Sequence, residues 1–242
     1  MESLLYQIIL IYFFFGAIAF ALISRGKSRE RKRETWAKFG TYFIIIHVLF
    51  ASIYFGPPHF SMLAVLLAAA GYVEMVRVHL QKRPTAGRKL FLPSLVIYTL
   101  LAVPFVLFSF MDKPYLYFVF VVVAVFDAFS QISGQLMGGR RLIPSVSPKK
   151  TISGLIGGSI LALLTAVLIR DSIGAEWTSV LLYSISIVIF ALLGDLLASY
   201  FKRQYGVKDF SNLLPGHGGF LDRFDSLIPG GAAMYIINII IL

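Results

Sequence analysis

Apolar residues along this chain come in long runs, separated by short polar stretches that hold nearly all of the charge. The first run, residues 4–23, reads LLYQIILIYFFFGAIAFALI. At 1.5 Å per helical residue such a run crosses the hydrocarbon core of a bilayer, about 30 Å thick. A lipid-facing segment must satisfy its own backbone polar groups, and the period-two alternation that a membrane barrel needs is absent, so each run predicts a helix. Eight are predicted, at roughly residues 3–23, 39–55, 60–79, 92–110, 114–133, 154–170, 177–197 and 228–242. The fold class is read as all-α, a polytopic transmembrane bundle. With no internal repeat and no low-complexity linker, residues 1–242 are read as a single membrane domain.

Composition supports that solvent. The 242 residues are 58% hydrophobic and 14% charged, with a mean hydropathy of +0.81, more apolar surface than a soluble domain of this size can bury. The first run is too long for a signal-peptide core and has no basic stretch before it, so it is read as a retained helix. There is no cysteine, which excludes disulfides and thiolate metal sites and leaves oxygen or histidine for any metal.

The net charge of +10 is sorted by position. Four alternate connections, residues 24–38, 77–91, 134–153 and 198–227, hold 20 of the 22 Lys and Arg, leaving only Lys113 and Arg170. By the positive-inside rule that side is cytoplasmic and both termini are outside. Basic residues punctuating apolar segments do not form a nucleic-acid surface. The densest cluster, 25–33, is read as a topology determinant rather than a head-group site. The outer connections are short, so chemistry is expected at the cytoplasmic face, in a cell inner (plasma) membrane.

Ionisable groups within membrane segments are costly and therefore suspects for function. Glu74, Asp127 and Asp195 fall within or at the ends of predicted helices. Glu74 has Arg77 at i+3 and is read as structurally paired. Asp127 is balanced between packing and function, and Asp195 is read as functional. The densest polar segment is the loop at 198–227, which carries Asp209, Asp222 and Asp225 with Lys202, Arg203, Lys208 and Arg223. Asp222 and Asp225 stand three apart, so a helix beginning near 219 would point both to one face. With Asp195 they would supply hard oxygen ligands for Mg²⁺ carrying a nucleotide's phosphates. The basic residues would offset phosphate charge, and the turn around His217, Gly218 and Gly219 could bring backbone N–H groups close to an anion.

Residues 199–225 closely resemble the signature of the phosphatidate cytidylyltransferase (CDP-diacylglycerol synthase) family. Every fixed position is met: Ser199, Lys202, Arg203, Lys208, Asp209, Pro215, His217, Gly218, Gly219, Asp222, Arg223 and Asp225. A second stretch is similar too, with Ser147, Pro148, Lys149, Lys150 and Thr151 before Gly154, Gly157 and Gly158. The chain departs at Ser153, where family members commonly carry an acid, and near Ser130 and Gln131, where they carry an aromatic.

The resemblance implies transfer of a cytidylyl group from CTP to phosphatidate, giving CDP-diacylglycerol and pyrophosphate in phospholipid biosynthesis. It implies Asp195, Asp222 and Asp225 as holders of Mg²⁺, with or without a second cation. Lys202 and Arg223 would be catalytic, Arg203 and Lys208 would bind phosphate, and Ser147, Lys149 and Lys150 would complete the pocket. It also suggests a homodimer. Two rivals are an enzyme for another lipid phosphate and a transporter, which would not need a dense basic and acidic loop outside the membrane.

Overall fold

The computed structural model describes residues 2–26, 28–56, 58–81, 88–213 and 218–241. Each of the eight apolar runs forms a helix: α1 (Glu2–Ser24), α2 (Arg29–Tyr54), α3 (His59–Gln81), α4 (Arg88–Phe108), α5 (Lys113–Met137), α6 (Ile152–Leu168), α7 (Trp177–Gln204) and α9 (Leu227–Ile241). A single turn, α8 (Leu221–Phe224), precedes the last. Among the described residues six helices, α1 to α5 and α7, are long and apolar enough to cross a membrane, whereas α6 and α9 are apolar but shorter. Large apolar side chains such as Phe14, Ile44, Leu66, Leu100, Leu168 and Leu182 are exposed on the outside of the bundle. Water would not tolerate so much apolar surface. The chain is an integral membrane protein.

Helices extend into the predicted loops, furthest in two of them. Residues 29–38, expected to lie in a polar connection, form the opening turns of α2. Arg, Lys and Glu are good helix formers, and the Ser28 side chain caps the new end by accepting from the Arg31 N–H at 3.5 Å. Likewise α7 continues past residue 197 to Gln204, which puts Lys202 and Arg203 on a helix.

The all-α expectation needs one amendment. Between α5 and α6 the strands β1 (Arg141–Ile143) and β2 (Ser147–Thr151) form an antiparallel hairpin in which Arg141 faces Thr151 and Ile143 faces Ser147. Strands of three and five residues are too short for a period-two pattern to stand out. The Thr151 hydroxyl then caps α6 by accepting from the Gly154 N–H at 3.1 Å.

The core is built on close helix crossings. α6 lies so near α5 that a Cβ on Gly158 would come within 2.8 Å of the Phe126 carbonyl oxygen and 2.9 Å of the Ser130 nitrogen. The glycines of the second similar stretch thus serve packing between helices. At the centre, α9 is buried from Leu227 to Met234 and packs on α4, α5 and α7. The two basic residues outside the charged connections have local partners. Lys113 donates to the Tyr54 carbonyl at 2.7 Å, and the Arg170 guanidinium sits 3.7 Å over the Trp177 ring.

Candidate active site

Helix α7 supplies the frame. Asp195, Ser199 and Lys202 follow at i, i+4 and i+7, so they share one face. The Ser199 hydroxyl donates to Asp195 at 3.3 Å. Residue 194 is glycine because any side chain there would run into Pro229 and the Asp225 carbonyl where α7 meets the start of α9. That crossing brings Asp195 beside Asp225.

The hairpin contributes from the side. Lys150, on β2, forms an ion pair with Asp195. Arg203 fastens the hairpin to the end of α7, donating to the carbonyls of Val146 at 3.3 Å and Val207 at 2.9 Å. Ser147 is partly exposed, while Lys149 and Lys208 are exposed. Of the expected phosphate binders, Lys150 therefore reaches the carboxylates directly, and Arg203 is engaged in holding backbone.

The signature loop folds around Asp222. One of its oxygens takes the Lys202 ammonium at 2.6 Å, and the other accepts from the backbone N–H groups of Phe210 and Gly219, both at 2.8 Å. The pair is buried, with side chains 9% and 4% exposed, and Lys202 also lies 5.2 Å from the Phe210 ring centre. A buried ammonium is tolerable only with such partners. The Gly219 N–H thus points at Asp222, and the Asp222 carboxylate is turned to Lys202 and the loop backbone. Gly218 has φ +84°, and a Cβ there would lie 2.7 Å from Asp222. His217 lies outside the described residues. Arg223 donates to the Tyr42 hydroxyl of α2 at 2.9 Å, with its guanidinium 5.5 Å over that ring.

On the inner side stand Asp127 of α5 and Asp225. Asp127 accepts from the Ser226 hydroxyl at 3.1 Å. Burial pushes the Asp225 carboxyl well above the usual range, and the charge of Asp195 adds to that push. Lys202 opposes it, Asp127 reinforces it, and Lys150 opposes it again. Among the described residues no three acidic or imidazole groups are grouped so as to hold a metal ion. The physical reason is that Asp195 is turned to Lys150 and Asp222 to Lys202. A cavity of about 150 Å³ opens from this point between α1, α2 and α5. Tyr42, Asp127 and Arg223 line its polar part, and residues such as Phe13, Ile46 and Phe120 its apolar part.

Two acidic residues were underrated by the sequence. Asp127 was recognisable as a lone acid in an apolar helix, but its contact with the start of α9 is tertiary. Glu74 was matched to Arg77, yet Arg77 is exposed. Glu74 instead accepts from the Ser211 hydroxyl at 2.7 Å and from the N–H groups of Phe220 at 3.0 Å and Leu221 at 2.8 Å. Ser153, one of the departing positions, donates to the Gly138 carbonyl and lies 3.0 Å from the Thr151 hydroxyl, closing the base of the hairpin.

Fold and site together define a class: an integral membrane protein whose apolar helices carry, at one end, a partly buried set of aspartates interleaved with lysine and arginine. The profile of the Cytidylyltransferase family matches residues 5–241, and the chain belongs to that family. It is 41% identical over 127 residues to the phosphatidate cytidylyltransferase of Rickettsia bellii (strain RML369-C), covering 49% of this chain and 55% of that protein. It is 45% identical over 116 residues to that of Staphylococcus haemolyticus (strain JCSC1435), covering 47% and 45%. With that of Brucella abortus biovar 1 (strain 9-941) it shares 40% over 136 residues, covering 53% and 50%. The chain spans about half the length of the curated relatives it matches.

Proposed function

We propose that this protein is a phosphatidate cytidylyltransferase, joining CTP to phosphatidate to give CDP-diacylglycerol and pyrophosphate. The observation that carries this reading is the meeting of Lys150, Lys202 and Arg223 with Asp127, Asp195, Asp222 and Asp225 where an apolar cavity ends. An oxygen of the lipid phosphate forms a bond to the α-phosphorus of CTP as the bond from that phosphorus to the β-phosphate oxygen breaks. The attacking oxygen is already anionic, so no strong base is required. The task is to bring two polyanions together and orient them.

The side chains suit that task. Lys202 is fixed by Asp222, so a phosphate meets a charge already oriented. Arg223, held on Tyr42 at the polar end of the cavity, is placed for the lipid phosphate, with the acyl part lying among the apolar lining. Lys150 is placed for phosphates of the nucleotide. Asp195 and Asp225 are the residues that would hold Mg²⁺, with Asp127 as an acidic neighbour. Their oxygen donors suit a hard cation, and a cation would offset the cost of charge that burial first, and then the neighbouring Asp195, impose on Asp225. A divalent cation bound there would screen phosphate charge and polarise the reacting phosphate.

In this reading all eight apolar helices cross the bilayer, α6 and α9 as short spans. The charged end faces the cytoplasm, since it carries the excess of Lys and Arg. The test is CDP-diacylglycerol formation by purified protein in nanodiscs with labelled CTP, Mg²⁺ and phosphatidate, beside a panel of other lipid phosphates. Product with phosphatidate alone sustains the reading. Consumption of CTP only with a different lipid phosphate would replace the acceptor, and no consumption with any would overturn the reaction.

A further inference from the structure

The backbone of the signature loop is held from two sides by carboxylates. Asp222 belongs to the loop, but the second, Glu74, comes from α3, more than a hundred residues earlier in the chain. Glu74 is 2% exposed, and no ion pair among the described residues involves it. Among the described residues the donors to its charge all come from the loop, the Ser211 hydroxyl and the N–H groups of Phe220 and Leu221. A carboxylate placed so is stabilised by charge-assisted hydrogen bonds, and losing one leaves a buried polar group unsatisfied.

The fit is also steric. A Cβ added to Gly219 would lie 2.6 Å from the Glu74 carboxyl carbon, so the carboxylate lies directly against the glycine. Three successive backbone N–H groups are thereby claimed, that of 219 by Asp222 and those of 220 and 221 by Glu74. The next residues along the chain are Asp222, Arg223 and, two further on, Asp225.

We infer that Glu74 is a positioning residue for the transfer centre: it touches no substrate but fixes the backbone of 219–221, and so the placement of Asp222, Arg223 and Asp225. The inference rests on the proposed reaction. Glu74→Gln keeps the size of the side chain and turns one acceptor into a donor facing an N–H or hydroxyl that already donates. Gly219→Ala presses on the same contact from the other side.

The full chain in nanodiscs is compared as wild type, Glu74→Gln, Gly219→Ala and the double variant. Two readouts are used, steady-state kinetics for CTP and hydrogen exchange of backbone amides. For Glu74→Gln, kcat is expected to fall roughly 10- to 100-fold, as on removal of a supporting group behind a ligand set. Amide exchange should quicken in 218–222 while α5 to α7 keep their protection. Gly219→Ala should do the same, and the double variant should be no worse than the poorer single one, because both break one contact. Wild-type kcat and exchange in Glu74→Gln would overturn the inference. So would loss of protection across the whole bundle in step with kcat, which would make Glu74 merely structural. If Glu74→Gln does not fold, Gly219→Ala decides alone: a local exchange change with lowered kcat supports the inference, and wild-type behaviour overturns it. A wild-type protein that never consumes CTP would defeat the proposed reaction, while the exchange readout would still report on the contact.

Discussion

Two basic segments at the same end of this protein make an instructive contrast. In residues 25–33, Arg25 just after α1 and Arg29, Arg31, Lys32 and Arg33 at the start of α2 are all exposed. In residues 199–225, Lys202 is buried on Asp222, Arg203 bonds two carbonyls and Arg223 is held by Tyr42. Charge count alone would rank the first segment higher. Acids and ordered backbone within reach distinguish a site from a topology signal, because only they convert a mobile cation into an oriented one.

Substitutions can break or sharpen that contrast. The largest effect is expected for Asp225→Asn, which removes charge from the inner carboxylates without changing size. Turnover should fall about 10³-fold, as for loss of a group that stabilises transition-state charge, measured as CDP-diacylglycerol formed with labelled CTP. Next, Lys202→Ala strands Asp222 without its cation. Breaking a buried pair in this way costs about 3–5 kcal/mol, so thermal unfolding of the purified protein should shift clearly downward and activity should fall with it. Unchanged stability would mean that Asp222 finds another partner.

Arg203→Ala should be milder. The hairpin loses one of its ties to α7, but the Lys150 to Asp195 pair remains, and kcat should drop by several-fold, on the order of the 1 kcal/mol that one hydrogen bond contributes. The smallest effect is expected for Arg29→Gln combined with Arg31→Gln and Arg33→Gln. Its kcat and KM for CTP in nanodiscs should stay within about twofold, as usual for exposed substitutions away from a site. A large rise in KM there would erase the distinction between the two segments.

Much of the fold could be read from the apolar runs, since each of the eight became a helix. The gathering of charge was legible where its members share one segment, as with Lys202, Asp222 and Arg223, although their partners were not. The site was obscure where the partner comes from afar. Glu74 was matched to Arg77 because helical spacing offers local partners, whereas its real donors are at 211, 220 and 221. The pairing of Asp222 with the loop backbone was hidden for a related reason, because spacing tells which face a side chain is on but not which N–H groups a turn will present. The hairpin was missed because its strands are short, although it delivers Lys150.

The close seam between α5 and α6 has a consequence for register. Gly158 fits only where it meets Phe126 and Ser130. Sliding α6 by one helical turn, about 5.4 Å, would set Ala162 in the place of Gly158 or, in the other direction, Ser153 in the place of Gly157, where Ser130 and Ser133 leave no room for a side chain. The seam therefore acts as a stop that fixes the height of α6 against α5. The hairpin hangs between these two helices, so the same stop sets the depth at which Lys150 meets Asp195. A pair of small residues between two helices thus calibrates a charged contact at the end of the bundle.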